Sequence, residues 1–153
     1  MIISLSQLSV GYTLSHPVIS DINLELKSGQ LACLIGENGI GKSTLLKTLT
    51  GFLPKLKGCL LLDNRDIESF SQREIARQVS IVLTQKPDVQ NLTIEEIIGL
   101  GRSPYTGFFG RLRAEDRKVV DDAIATMGIE KLRGRMIQTL SDGERQKVMI
   151  AKA

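Results

Sequence analysis

Apolar and polar positions alternate in the first part of the chain in a way that predicts strands. Residues 2–10 form one such stretch, but its apolar positions change phase between Leu5 and Leu8. Such a phase change predicts either a β-bulge or a change of face within the strand. Residues 22–27 alternate strictly, which predicts an antiparallel strand with one exposed face.

Three unbroken apolar runs predict further strands. Residues 31–35 and 80–83 have the composition of strands that are buried in a parallel sheet, and residues 59–62 form a shorter strand of the same kind. Cys33 and Cys59 lie in these runs without the spacing of metal ligands. We therefore expect two buried thiols rather than a metal site.

Helices are predicted from apolar stripes and from the signals at their ends. Three of them begin with the capping-box spacing of Ser or Thr followed three residues later by Glu. These pairs are Ser71 with Glu74, Thr93 with Glu96, and Ser141 with Glu144. A fourth helix is predicted from Glu115 to Met127 and is terminated by Gly128. Its expected inward face consists of Val119, Val120, Ala123, Ile124 and Met127.

A glycine-rich stretch between the run 31–35 and a helical pattern carries the clearest candidate chemistry. This phosphate loop consists of Gly36, Glu37, Asn38, Gly39, Ile40, Gly41, Lys42, Ser43 and Thr44. Its glycines let successive amides face one anion, and the helix N-terminus adds positive charge. Lys42 can reach the β- and γ-phosphates, and the Ser43 hydroxyl can bind Mg²⁺. The order strand, loop, helix predicts nucleotide binding.

Composition narrows the class of protein without changing this picture. The 153 residues suffice for one domain, and 42% hydrophobic with 24% charged residues is ordinary for a globular protein. A net charge of +3 is too small to indicate nucleic acid as a partner. We find no apolar run long enough to span a bilayer and no signal-peptide core, so the cytoplasm is the expected compartment.

A second motif opens the last predicted helix. It consists of Leu140, Ser141, Asp142, Gly143 and Glu144. Together with the phosphate loop and Gln85, it resembles the Leu-Ser-Gly-Gly-Gln signature of ABC-type ATPases. Tyr12, the phosphate loop, Gln85 and the signature follow in that family's order, so the resemblance covers essentially the whole chain.

The resemblance implies an α/β fold: a P-loop NTPase core with an N-terminal antiparallel β subdomain and an α-helical subdomain. Residues 1–153 would be the N-terminal part of one such domain. The implied parts are residues 1–30 and 58–66 (antiparallel β portion), 31–57 and 67–86 (nucleotide-binding core) and 87–153 (helical subdomain).

The catalytic groups of the family follow the signature helix, on an apolar strand that ends Asp-Glu and at a later switch histidine. None of these motifs lies before Ala153, so no catalytic residue is assigned within the chain. We therefore expect a sequence truncated before the Walker B strand. The intact protein would be an ATP hydrolase coupled to transport, whereas the 153-residue chain alone would be inactive.

The resemblance also implies a role for each motif residue. Tyr12 would stack on adenine, residues 38–44 would wrap the phosphates of ATP, and Ser43 and Gln85 would hold Mg²⁺. Residues 140–144 would contact the γ-phosphate of ATP on a second, facing ATPase subunit in a head-to-tail dimer.

Two signature positions depart from the family pattern. Asp142 replaces a glycine and Glu144 replaces a glutamine, and in the arrangement that the resemblance implies each would place a carboxylate near a γ-phosphate. We expect Glu144 to cap its own helix and Asp142 to face solvent. Substitution of Asp142 by Gly should therefore leave nucleotide-driven dimerisation intact.

Residues 101–105 are similar to a segment in the ATPases of importers for iron-siderophore, haem or cobalamin. This similarity implies transmembrane permease subunits, an external substrate-binding protein, and a peripheral location on the inner face of the cell membrane. Residues 102–109 are the candidate contact with the permease, and a surface loop without a partner is the alternative. Two other functions remain open: an ABC-type ATPase without a permease, and a module that binds nucleotide without catalysis.

Overall fold

The computed structural model describes residues 1–82, 91–107 and 109–153, which fall into two compact units, Met1–Val79 and Ser80–Ala153. The first unit contains β1 (Ile2–Val10), β2 (Ile19–Lys27), α1 (Lys42–Leu49), β3 (Lys57–Leu62), β4 (Arg65–Asp66) and α2 (Gln72–Gln78). The second contains α3 (Ile94–Leu100), α4 (Ala114–Thr126) and α5 (Asp142–Lys152). Short 3-10 turns occupy Ile67–Ser69, Glu130–Leu132 and Ile137–Thr139. The fold is mixed α/β, as the sequence predicts, and none of the described helices could cross a bilayer.

The sheet of the first unit is antiparallel throughout, with the strand order β2-β1-β3-β4. Its central strand β1 is irregular where the apolar phase changes, with register shifts between Leu5 and Leu8 against β2. Gln7 lies in this irregularity with φ of 48°, and its amide donates to Asn23 Oδ1 at 2.9 Å. The predicted bulge is confirmed.

The core of the first unit lies where the sheet meets α1 and α2. Its buried members are Leu5, Leu8, Val10, Leu45, Leu60, Ile67 and Ile75. Because α1 contributes to this core, packing fixes the helix that follows the phosphate loop.

The second unit packs three helices around one apolar cluster. The cluster consists of Ile94, Ile97, Ile98, Val120, Ile124, Ile129, Leu132, Ile137, Leu140 and Val148. Backbone hydrogen bonds join the chain before α3 to the chain before α5: Ile94 N donates to Arg135 O at 3.1 Å, and Ile137 N donates to Leu92 O at 3.0 Å. All three predicted capping boxes are present, at the starts of α2, α3 and α5.

Two strand predictions are wrong. Residues 31–35, and residues 80–82 of the second run, are not strands in the structure. Leu31 is 100% and Ile35 86% exposed. An extended apolar run becomes a strand only beside a hydrogen-bonded neighbour, and the described strands pair with one another instead.

Three side chains expected to be buried are exposed. Cys33 lies in the exposed run 31–35, and Cys59 lies on β3 next to the buried Leu60, so its side chain points to the opposite face. Val119 is 44% exposed, because the apolar face of α4 is centred on Val120 and Ile124.

Candidate functional site

The phosphate loop connects the exposed run 31–35 to α1 and turns sharply on two glycines. Gly39 and Gly41 have φ of 86° and 109°, a region that residues with a β-carbon rarely adopt. Ile40 N donates to Glu37 O at 3.4 Å and closes the turn between them. No described atom lies within 4 Å of the place that a β-carbon on Gly39 would occupy, so the loop is open there.

The N-terminus of α1 has unused hydrogen-bond donors. Its N-cap is Gly41, which has no side chain to accept from them. The first helical hydrogen bond runs from Leu45 N to Gly41 O at 2.9 Å, so the amides of residues 42–44 have no acceptor within the helix. These amides and the helix macrodipole favour an anion at the loop.

The Lys42 ammonium lies over the same loop. Its Nζ donates to Gly36 O and to Glu37 O, each at 2.7 Å. Both acceptors are neutral carbonyls, so the ammonium keeps its positive charge available to a ligand. The exposed Ser43 follows at the first turn of α1 and carries a hydroxyl oxygen, a ligand type that suits Mg²⁺. The donor set therefore fits a Mg²⁺-bound polyphosphate.

Tyr12 lies in the connection from β1 to β2 and is 66% exposed. The same connection reaches the phosphate loop through Val18, whose Cγ1 lies 2.5 Å from the position of a β-carbon on Gly41. Any larger residue at position 41 would collide with Val18. The sequence analysis missed Val18. The glycine at position 41, which leaves room for the Val18 side chain, is the feature of the sequence that could have indicated this contact. Gln85 lies outside the described residues.

The signature residues form the start of α5 in the second unit. The Ser141 amide and hydroxyl donate to Glu144 Oε2 at 2.8 and 2.7 Å, and Glu144 N donates back to Ser141 Oγ at 3.3 Å. The hydroxyl and amide of Ser141, with a smaller contribution from the charge of Arg135, lower the pKa of Glu144. Glu144 is thus an ionised helix cap. Leu140 is buried, and Gly143 has no described atom within 4 Å of its potential β-carbon.

Two arginines that the sequence analysis missed hold the signature carboxylates. Arg145 Nη1 donates to Asp142 Oδ1 at 2.6 Å, and its Nη2 donates to Leu140 O at 2.8 Å. Arg135 Nη1 lies 3.5 Å from Glu144 Oε1, and its Nη2 donates to Thr139 O at 2.7 Å. The spacing of three residues between Asp142 and Arg145 on a helix was a usable signal, whereas Arg135 lies outside the helix and gave none.

Comparison with known proteins agrees with both motifs. Residues 19–153 match the ABC transporter family. An uncharacterised ABC transporter ATP-binding protein of Methanocaldococcus jannaschii is 40% identical over 95% of this chain and 50% of its own length. The iron(3+)-hydroxamate import ATP-binding protein FhuC of Bacillus subtilis is 37% identical over 99% of this chain and 56% of its own length. The chain thus spans about half the length of the curated relatives that it matches.

The fold is shared with solved structures. CbiO1 of Clostridium perfringens, part of the ABC transporter complex CbiONQ, superposes with a TM-score of 0.80 at 27% identity. The alignment covers 98% of this chain and 59% of that one. Because the phosphate loop, the signature at the start of α5, the family match and the shared fold agree, the chain belongs to the ABC transporter family.

Proposed function

We propose that this chain is part of the ATP-binding subunit of an import system, in which ATP binding and hydrolysis drive uptake of a metal chelate such as an iron-siderophore, haem or cobalamin. The observation that carries the proposal is Lys42, held by two carbonyls over an open glycine loop at the uncapped N-terminus of α1. Similarity to an iron-hydroxamate import protein supports the substrate class.

In this proposal, the first unit binds Mg²⁺-ATP. The amides of residues 38–44 and the Lys42 ammonium surround the phosphates, and the Tyr12 ring stacks on adenine through its exposed face. The oxygens of Ser43 and Gln85 hold Mg²⁺, which neutralises phosphate charge when it is bound.

The second unit contributes to a partner's nucleotide. Residues 140–144 meet the γ-phosphate of ATP held by a second ATPase subunit, in a head-to-tail dimer. The dimer binds transmembrane permease subunits on the inner face of the cell membrane, and an external binding protein delivers the substrate. Residues 102–109 are the proposed permease contact, and the start of this stretch is both anchored and accessible. Arg102 is held by Asp116 at 3.0 Å, whereas Tyr105 is 46% exposed.

Hydrolysis belongs to the intact protein in this proposal. Residues 1–153 bind the nucleotide, but they include no counterpart of the family's Asp-Glu strand end that would activate water. We therefore expect phosphate release by these 153 residues alone to stay at background.

Replacing Lys42 by Ala tests the nucleotide site. We expect Lys42→Ala to weaken Mg²⁺-ATP binding to the intact protein by about a hundredfold, because a charge-assisted contact with phosphate is lost. The control is Lys47→Ala, which removes an exposed lysine from the last turn of the same helix. Titration with a fluorescent ATP analogue measures both. Equal binding by wild type and Lys42→Ala, or an equal loss in both variants, would contradict the proposal.

A further inference from the structure

Each of the two arginines beside the signature binds one carboxylate and one backbone carbonyl. Arg145 joins Asp142 to Leu140 O, and Arg135 joins Glu144 to Thr139 O. Two negative charges at the start of α5 are therefore matched by two guanidinium groups. The carbonyls of Thr139 and Leu140, which precede the helix, accept hydrogen bonds from the same guanidinium groups, which reduces their negative potential near its N-terminus.

We propose that Arg135 and Arg145 are positioning residues that neutralise the signature carboxylates, so that the start of α5 can accept the γ-phosphate on a second copy of the subunit. The inference rests on the proposed function, because it presumes that ATP is sandwiched between two subunits. Without the arginines, Asp142 and Glu144 would repel the phosphate at close range.

The two arginines contribute unequally. Arg145 is the better-formed contact: its side chain is 16% exposed and its Nη1 lies 2.6 Å from Asp142 Oδ1. Arg135 is 42% exposed, and its Nη1 lies 3.5 Å from Glu144 Oε1. Asp142 is 78% exposed and Glu144 34% exposed, so solvent screening does not favour the Arg145 contact; its shorter distance does, and loss of Arg145 therefore has the larger effect on phosphate binding.

Arg135 has a further role when the facing nucleotide binds. In this structure the Ser141 hydroxyl donates to Glu144 at 2.7 Å. To donate to a γ-phosphate, that hydroxyl must turn away from Glu144, which then loses one of its hydrogen bonds. Arg135 remains beside Glu144 and compensates its charge. The capping carboxylate can therefore release Ser141 without leaving its negative charge facing the phosphate.

The test measures the ATP concentration that gives half-maximal dimerisation of the intact protein, by light scattering. We expect Arg145→Gln to raise this concentration about tenfold and Arg135→Gln about threefold. Adding Asp142→Gly to Arg145→Gln should restore it to within about twofold of wild type, because the repelling carboxylate is gone. The matched control is Arg133→Gln, which breaks a 2.6 Å pair with Asp121 and should change the concentration by less than about twofold.

Binding of a fluorescent ATP analogue to the monomer separates the two proposals, because it reports the phosphate loop and should be equal in all these variants. If wild type binds ATP but does not dimerise, both proposals fail. If wild type dimerises and Arg145→Gln behaves like it, or if Asp142→Gly does not rescue Arg145→Gln, this inference alone is overturned.

A second variant covers the case in which Arg145→Gln loses its cooperative thermal transition. Asp142→Asn keeps Arg145 and removes the charge that it neutralises, so the half-maximal ATP concentration should fall about twofold or more. An unchanged concentration would show that charge at position 142 does not reach the phosphate, and would overturn the inference.

Discussion

Asp116 shows how one carboxylate can organise two segments of the second unit. It is 6% exposed and accepts from Arg113 N at 3.1 Å and from Arg102 Nε at 3.0 Å. The Arg102 guanidinium in turn lies 4.0 Å above the centre of the Tyr105 ring. The same side chain therefore caps α4 and anchors Arg102, at the start of the permease contact that we propose at residues 102–109.

The ionised form of Asp116 stabilises the fold. The hydrogen bond from the Arg113 amide, followed by that from Arg102, lowers the pKa of Asp116. A carboxyl group with a lowered pKa stabilises the folded state above its unfolded value of about 3.9, and this contribution is lost as the pH falls through the lowered pKa. We expect Asp116→Asn to lower the Tm by roughly 5 °C at neutral pH.

Thermal melts across pH check this prediction. The difference between wild type and Asp116→Asn should shrink as the pH falls through the lowered pKa of Asp116, because both side chains are then neutral. Asp122→Asn, at an exposed position of the same helix, serves as the control and should melt like wild type. An equal decrease in both variants, or a difference that persists in strong acid, would contradict the assignment.

The sequence predicts the secondary-structure elements whose signals depend on residues close together in the chain. The capping boxes of α2, α3 and α5 depend on residues three positions apart, so sequence reveals them directly. The phase change of apolar positions between Leu5 and Leu8 likewise predicts the bulge in β1. Residues 31–35 were misassigned because a strand also needs a neighbour, which a stretch of sequence does not specify.

The same distinction applies to the candidate sites. The phosphate loop and the signature are continuous stretches, so the sequence alone predicts their residues. Val18 approaches Gly41 from the connection between β1 and β2, and Arg135 approaches Glu144 from outside α5. Contacts between segments that are distant in sequence become visible only in the folded structure. Val18 at the phosphate loop and Arg135 at the signature are contacts of this kind.

The bulge between β1 and β3 requires glycine at position 58. Gly58 has φ of 81°, and a β-carbon there would collide with the carbonyl oxygen of Gln7. We expect Gly58→Ala to reduce the free energy of unfolding by about 2–4 kcal/mol. The cost of a positive φ for alanine adds to the steric overlap of its β-carbon with the Gln7 carbonyl oxygen. Urea denaturation measures this loss.

Gly29→Ala separates the two causes of that loss. Gly29 has a similar φ of 83°, but no described atom lies within 4 Å of its potential β-carbon. Gly29→Ala should therefore reduce the free energy of unfolding by only about 1 kcal/mol, which is the cost of holding an alanine in the left-handed region. Equal losses at positions 29 and 58 would show that the contact with Gln7 does not constrain the bulge.

At the scale of the whole molecule, the run 31–35 is a contiguous stretch of exposed apolar side chains among the described residues. Leu31 and Ile35 are 100% and 86% exposed, and Leu34 between them is 45% exposed. Contiguous apolar surface of this kind promotes association, whereas single exposed apolar residues such as Leu14 are common on folded proteins. The run also leads directly into the phosphate loop, so its association would affect the nucleotide site.

We therefore expect the double variant Leu31→Ser, Ile35→Ser to reduce binding of the dye ANS to the 153-residue chain by about half, because contiguous apolar surface is what the dye detects. Its Tm should stay within about 2 °C of wild type, since neither side chain is buried. Leu14→Ser removes an isolated exposed leucine and should leave the fluorescence nearly unchanged. Fluorescence that stays at the wild-type level in the double variant would mean that residues 31–35 are covered in solution.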